Sequence, residues 1–411
     1  MTGNAVRKTK EEVRRPVPFR LLKTKDGGAD GSVRRAPRRI SLGYVDYSLL
    51  LTVFFLAIFG LIMLFSTSSY EGGLKFGDPA FFVKRQLAAT LFGVVLMFAL
   101  SIAPDYRMLQ HLAVPAYLFS AGLILLVLSP LGYEANGARR WLKIGSMSVQ
   151  PAEVAKIAMI VFLASLVLSM KGKIVTWKGF AFFLGSALPV ALLIYKVTKN
   201  LSSACIVMGI AVIMLFVATP GYKRFAAMAA AGSAAVFGIV YYILHYADPS
   251  DSMRFARVLA WSDLESYSSG TGYQTLQALY AIGSGGIFGK GLGESIQKTG
   301  FIPEAQNDMI FSIICEELGL FGGLCVIIMF FLLLWRLMII ANNAPDLFGS
   351  LLTVGVMGHI AIQVILNIAV VTNLVPNTGI TLPFISYGGS AVVMQLAEIG
   401  LVMNVARRIK T

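Results

Sequence analysis

Long apolar runs, separated by short polar stretches, fill the chain from Tyr47 onward. Read with a window of about 19 residues against a span of about 20, they predict about ten membrane helices. These are Tyr47–Ser66, Gln86–Ile102, Leu112–Ser129, Pro151–Met170, Gly179–Tyr195, Leu201–Thr219, Phe225–Leu244, Met309–Ile340, Leu351–Val371 and Phe384–Val405. The expected fold is an all-α polytopic membrane domain over residues 44–408, with one long loop, 246–307, before the eighth helix. That eighth run exceeds what a bilayer needs, which predicts a tilt or an end in water.

An even number of crossings puts both termini on one side. Twelve of the first 39 residues are Lys or Arg against four acidic ones, and Arg407, Arg408 and Lys410 close the chain. Cationic segments stay in the cytoplasm, so both ends are expected there. Residues 1–43 read as a basic, disordered tail suited to anionic lipid. Nucleic-acid binding is set aside, because the tail has no interleaved aromatics and no module to present them. No short apolar core with a cleavage site follows closely, so the tail is not a signal peptide.

Composition agrees with a membrane class: 56% of residues are hydrophobic and 14% charged, where soluble chains carry about 25% charged residues. The three cysteines and three histidines are scattered, with neither disulfide nor metal-ligand spacing. No motif requires a cofactor, and no protein metal site is read. A loosely held divalent ion shared with a substrate phosphate stays compatible with the chain.

Charges on the unexpected side carry more information. Lys84 and Arg85, the run Arg139-Arg140-Trp141-Leu142-Lys143, and Lys196 with Lys199 all fall at the outer face of this topology. An anionic ligand would hold them there, and the guanidinium fork suits phosphate; a lipid headgroup or a protein carboxylate is the plainer alternative. Glu153 and Lys156 lie three residues apart at the start of the fourth helix, on one face. They are either functional intramembrane charges or an ion pair that locks two helices.

Pro303-Glu304-Ala305-Gln306-Asn307-Asp308 runs directly into the eighth helix. A carboxylate at such a boundary is desolvated yet reachable, which raises its pKa and makes it a candidate base. The competing reading of Asp308 is a helix N-cap. The glycines of 283–293 match neither G-x-G-x-x-G nor a Walker A loop; they suit a re-entrant or surface-lying loop with close backbone packing. Pro, Gly and hydroxyl residues over 373–390 mark broken backbone that must be buried in protein or line a wet cavity. Glu398 reads as a buried, hydrogen-bonded carboxyl.

Taken together, Lys84-Arg85-Gln86, Ala138-Arg139-Arg140-Trp141, Gln150-Pro151-Ala152-Glu153 with Lys156, Gly270-Thr271-Gly272-Tyr273-Gln274, Pro303–Asp308, Glu316-Glu317-Leu318-Gly319 and Pro383-Phe384-Ile385-Ser386-Tyr387-Gly388-Gly389-Ser390 resemble the SEDS family of bacterial cell-wall proteins, the FtsW, RodA and SpoVE group. The similarity is greater to the division and sporulation branch. The resemblance implies a ten-helix peptidoglycan glycosyltransferase that polymerises lipid II, an undecaprenyl-pyrophosphate-linked glycan. It also implies a class B penicillin-binding protein, a transpeptidase, as partner, among other divisome or elongasome membrane proteins. Asp308 is then the essential carboxylate. Lys84, Arg85, Arg139, Arg140, Lys143, Glu153, Lys156, Glu304, Gln306, Ser386 and Ser390 are the candidate substrate-binding residues. One departure stands out: many members carry an acidic residue before the sixth helix, where this chain reads Lys199-Asn200-Leu201-Ser202-Ser203.

Two other classes compete. A bundle with intramembrane charges could flip a lipid-linked sugar, although no pair of inverted, interrupted halves is evident. A scaffold that only positions a partner synthase would tolerate the loss of the Asp308 charge.

Overall fold

Apolar sequence becomes helix here because a chain in lipid must satisfy its own backbone. The computed structural model describes residues 46–135, 138–144, 147–248 and 252–409; the basic tail expected over residues 1–43 lies outside them. Among the described residues, ten helices run back and forth between two ends of a bundle: α1 (Tyr47–Phe76), α2 (Phe81–Ile102), α3 (Ala113–Leu126), α4 (Pro151–Met170), α5 (Trp177–Val197), α6 (Leu201–Ala218), α7 (Lys223–Tyr246), α10 (Ile310–Asn343), α11 (Leu347–Val371) and α12 (Gly389–Ala406). Nine of these are long and apolar enough to cross a membrane, and α3 is shorter. Side chains set several starts: Asp46, Thr176, Asn200 and Asp346 accept main-chain N–H bonds at the heads of α1, α5, α6 and α11, and Pro151 opens α4. Three helices, α4, α11 and α12, bury more than half of their residues, whereas α7 buries only Ile243.

Three features add to the expected bundle. Residues 132–149 are not plain loop. They form an antiparallel sheet, β1 (Gly132–Ala135), β2 (Ala138–Ile144) and β3 (Met147–Val149), in the order β1-β2-β3. The Asn136-Gly137 pair is a hairpin signal, and Leu142, Lys143 and Ile144 alternate apolar and polar. The pairing Tyr133↔Trp141 steps to Glu134↔Arg139, so Arg140 is the extra residue of a bulge, which re-aims its side chain.

The loop 246–307 contains two helices, α8 (Met253–Ser262) and α9 (Tyr273–Gly285). After α9 the glycine run turns against α10.

Finally, α10 is not one continuous helix. It breaks at Gly319, with φ 69° and ψ −170°, nine residues and so about 13 Å along the helix from Ile310. The glycine loop fills the break. Lys290 N and Gly291 N donate to the carbonyls of Glu316 and Glu317 at 3.0 and 2.9 Å, and Leu320 N and Phe321 N donate to Gly286 and Ile287 at 2.9 and 3.1 Å. A Cβ on Gly289 would stand 2.2 Å from the Glu317 carbonyl, so only glycine permits this approach. Two wholly buried carboxylates anchor the same loop. Glu316 accepts from Lys290 Nζ at 2.7 Å and from Ser295, and Glu317 accepts from Lys298 Nζ at 2.7 Å and Ser66 Oγ at 2.6 Å. Buried charges persist only when paired and hydrogen-bonded in this way.

Candidate active site

The anchored loop leads straight into Pro303–Asp308, and three other elements pin that segment. From α1, Glu71 accepts from Gln306 Nε2 at 2.8 Å. From the loop before α12, Tyr387 N donates to the Gln306 carbonyl at 2.9 Å. From α11, Asn367 Nδ2 donates to the Asp308 and Ile380 carbonyls, both at 2.7 Å. Glu304 sits at φ 50°, an uncommon backbone state for a residue with a side chain, of a kind that clusters at functional sites. Below Asn367, the face of α11 carries Gln363, which accepts from Gln395 Nε2 at 3.0 Å, and His359, whose Nδ1 lies 2.9 Å from the Glu398 carboxylate. Residues 359, 363 and 367 are four apart and share that face, so α11 and α12 are joined by a polar column that ends at Asp308.

The Asp308 side chain does not cap α10, whose cap is Met309 without a side-chain bond. Its Oδ1 instead accepts from Gln274 Nε2 at 3.4 Å. Gln274 also donates to the Pro303 carbonyl at 3.2 Å and accepts from Asn377 Nδ2 at 3.1 Å. Burial pushes the Asp308 carboxyl up from 3.8 to about 6. The Glu304 charge adds to the rise, while its own main-chain N–H, Arg257 and the Gln274 bond oppose it. The residue keeps partial access to solvent. A base poised near neutral pH and reachable from outside is what proton abstraction needs. Gln306 Oε1, Asn367 Oδ1 and Thr378 Oγ1 are buried and make no hydrogen bond among the described residues. All three belong to segments that hold Asp308.

The candidate cations separate into different settings. Lys84 is exposed and paired with Asp78 at 2.7 Å. Arg85 stacks over Phe81 at 4.4 Å and lies near Tyr387. Arg139 and Lys143 are exposed on β2. Arg140, from the bulge, is half-buried and donates to the Thr198 carbonyl at 3.2 Å. Lys156 is buried against Glu153 at 2.7 Å. Of the two serines, Ser386 Oγ accepts from Leu382 N at 2.8 Å and Ser390 Oγ donates to the Ser148 carbonyl at 2.7 Å, so both hydroxyls secure the broken backbone.

Several side chains of the site were not singled out in the sequence: Glu71, Asn367, Asn377, Arg254 and Arg257. Gln274 stood in a recognised motif but was given no role there. Arg254 and Arg257 are one helical turn apart on α8, and that spacing was their available signal. Among the described residues no three His, Cys, Asp or Glu side chains converge as metal ligands.

The family model described as "Cell cycle protein", for FtsW, RodA and SpoVE, matches residues 47–411. The chain is 40% identical over 365 residues to Stage V sporulation protein E of Bacillus subtilis (strain 168), covering 88% of this chain and 97% of that one. It is 37% identical over 380 residues to a probable peptidoglycan glycosyltransferase FtsW of Trichlorobacter lovleyi, covering 92% and 97%. Among solved structures, one reported under the structural coordination of polymerization and crosslinking by a peptidoglycan synthase complex aligns with TM-score 0.72 at 29% identity, covering 89% of this chain and 98% of that one. The crystal structure of Thermus thermophilus rod shape determining protein RodA aligns at 0.63 and 28% identity, covering 89% and 98%.

Proposed function

This chain belongs to the FtsW, RodA and SpoVE family of cell cycle proteins, and from that premise we propose that it is a peptidoglycan glycosyltransferase polymerising lipid II for septum synthesis in division or sporulation. The observation that carries the reading is Asp308: a carboxyl raised to about 6, held by three separate elements, with cations and unsatisfied polar groups around it. Asp308 takes the proton of the acceptor sugar 4-hydroxyl as that oxygen attacks the donor's anomeric carbon. The new carbon–oxygen bond forms as the bond to undecaprenyl pyrophosphate breaks, and the electron pair leaves with the pyrophosphate. A sugar diphosphate is already a good leaving group, so one base and electrostatic stabilisation of the departing charge suffice. No second carboxylic acid is required, unlike in most glycosidases.

The bundle sits in the cytoplasmic membrane with its Asp308 end outward and both termini in the cytoplasm. Lys171, Lys173, Lys223 and Arg224 lie at the opposite end, which supports this orientation by the positive-inside rule. A divalent cation, where the reaction uses one, is held by the substrate phosphates. The fitting partner is a class B penicillin-binding protein, which would crosslink the strands made here.

The test is polymerisation of fluorescent lipid II by the purified protein with its cognate transpeptidase, wild type against Asp308→Asn. Glycan from wild type and none from a folded, partner-binding variant is the expected result. Glycan from the variant would remove Asp308 from the chemistry. No glycan from either protein, with lipid flipping by wild type, would favour the transporter.

A further inference from the structure

Three arginines from two segments far apart in sequence converge near the end of α5, and one of them, Arg257, lies near Asp308. Arg140 comes from the β2 bulge, and Arg254 and Arg257 from α8. Arg140 Nε donates to the Thr198 carbonyl at 3.2 Å, and Arg254 NH1 donates to Tyr195 Oη at 2.7 Å while its guanidinium lies 4.7 Å over that ring. Both therefore dock on one turn at the end of α5. Arg257 NH1 reaches the Asn377 carbonyl at 3.4 Å, and Asn377 holds Gln274, which holds Asp308. These anchors are neutral. Among the described residues none of the three arginines forms an ion pair with a carboxylate. The charges feel one another: burial, then Arg257 and Arg254, hold the Arg140 guanidinium below its ordinary value. Each guanidinium has five N–H donors and spends one on its anchor, so most of the forks remain available. Arg254 and Arg257 are exposed while Ala256 and Ala260 pack the other side of α8.

We propose that Arg140, Arg254 and Arg257 form the binding site for the prenyl diphosphate of the donor strand. Three clustered cations with free forks match a multiply charged phosphate far better than a monoanion. The donor is favoured over the acceptor by distance along the substrate. The bond that breaks joins the donor's diphosphate to the carbon attacked beside Asp308, whereas the acceptor's diphosphate lies a whole disaccharide away from its attacking hydroxyl. Arg257 is close enough to Asp308 to influence its ionisation. The bulge and α8 thus supply what neither segment contains alone. The choice of the donor strand rests on the transferase reading; the diphosphate site itself rests on the three arginines.

The experiment measures binding of geranylgeranyl diphosphate to the full-length protein in nanodiscs by thermophoresis, with inorganic diphosphate and phosphatidylglycerol as competitors. Arg254→Gln and Arg257→Gln should each weaken binding at least about tenfold at unchanged melting temperature. Arg257→Lys should fall between, and Lys178→Gln at the opposite end should match wild type. Inorganic diphosphate should compete and phosphatidylglycerol should not. Unchanged binding in both glutamine variants, equal loss in Lys178→Gln, or equally effective competition by phosphatidylglycerol would each overturn the site. Arginine-dependent binding by a wild type that makes no glycan would instead refute the transferase and leave the site standing.

Discussion

Replacing Asp308 with Asn should stabilise the protein while it stops the chemistry. A carboxyl moved from 3.8 to about 6 carries its charge in the fold at a cost of about 3 kcal/mol near pH 7.5, taking about 1.36 kcal/mol per pKa unit. Partial access to water discounts this to between about 1 and 3 kcal/mol. The folded value lies above the unfolded one. The group therefore favours the fold fully below pH 3.8, and that contribution is lost as pH rises through about 6. Asparagine keeps the size and can still accept from Gln274, but carries no charge. In nanodiscs at pH 7.5, Asp308→Asn should melt above wild type, and the gap should shrink to roughly half near pH 5. The same variant should make no glycan, and wild-type initial rates should climb through a limb near pH 6. A variant that melts at or below wild type at pH 7.5, or a gap indifferent to pH, would refute the account of Asp308 as a desolvated base.

Other consequences are equally direct. Glu304→Gln removes a charge that raises the Asp308 pKa, so the acid limb of the rate profile should move to lower pH; movement to higher pH would contradict the assigned sign. Gly289→Ala places a Cβ 2.2 Å from the Glu317 carbonyl at φ 81° and should cost about 2–5 kcal/mol from overpacking and strain. Gly293→Ala, at φ 88° with nothing within 4 Å, should cost only about 1–2 kcal/mol in the same melts. Lys298→Met leaves the buried Glu317 charge without its ammonium and should destabilise by about 3–5 kcal/mol. Adding Glu317→Met should recover most of that loss, since the penalty lies in the unpaired charge.

The one-dimensional pattern determined the bundle. Apolar runs of membrane length must become helices, because lipid offers the backbone no other partner. Charge at their ends oriented the expectation, and the Pro303–Asp308 run at a polar–apolar boundary marked Asp308 as a candidate base or helix cap. The antiparallel sheet had a signal in the chain, the Asn136-Gly137 pair followed by the short alternation of 142–144, but the charged run drew the reading toward ligand chemistry instead. Other features could come only from the tertiary structure. The choice between base and cap for Asp308 depended on where its carboxyl points, and it points to Gln274, 34 residues away in sequence. The break at Gly319 depended on a glycine loop arriving from another segment to satisfy the freed backbone. Glu316 and Glu317, adjacent in sequence, take different lysines and serve as two separate anchors. Arg140 meets Arg254 across more than a hundred residues at the end of α5, with Arg257 anchored beside them on Asn377. Hydrophobic periodicity is a local property that a sequence displays openly; desolvation, ion pairing and clusters of like charge depend on what lies nearby in space, and that is set only when the helices pack.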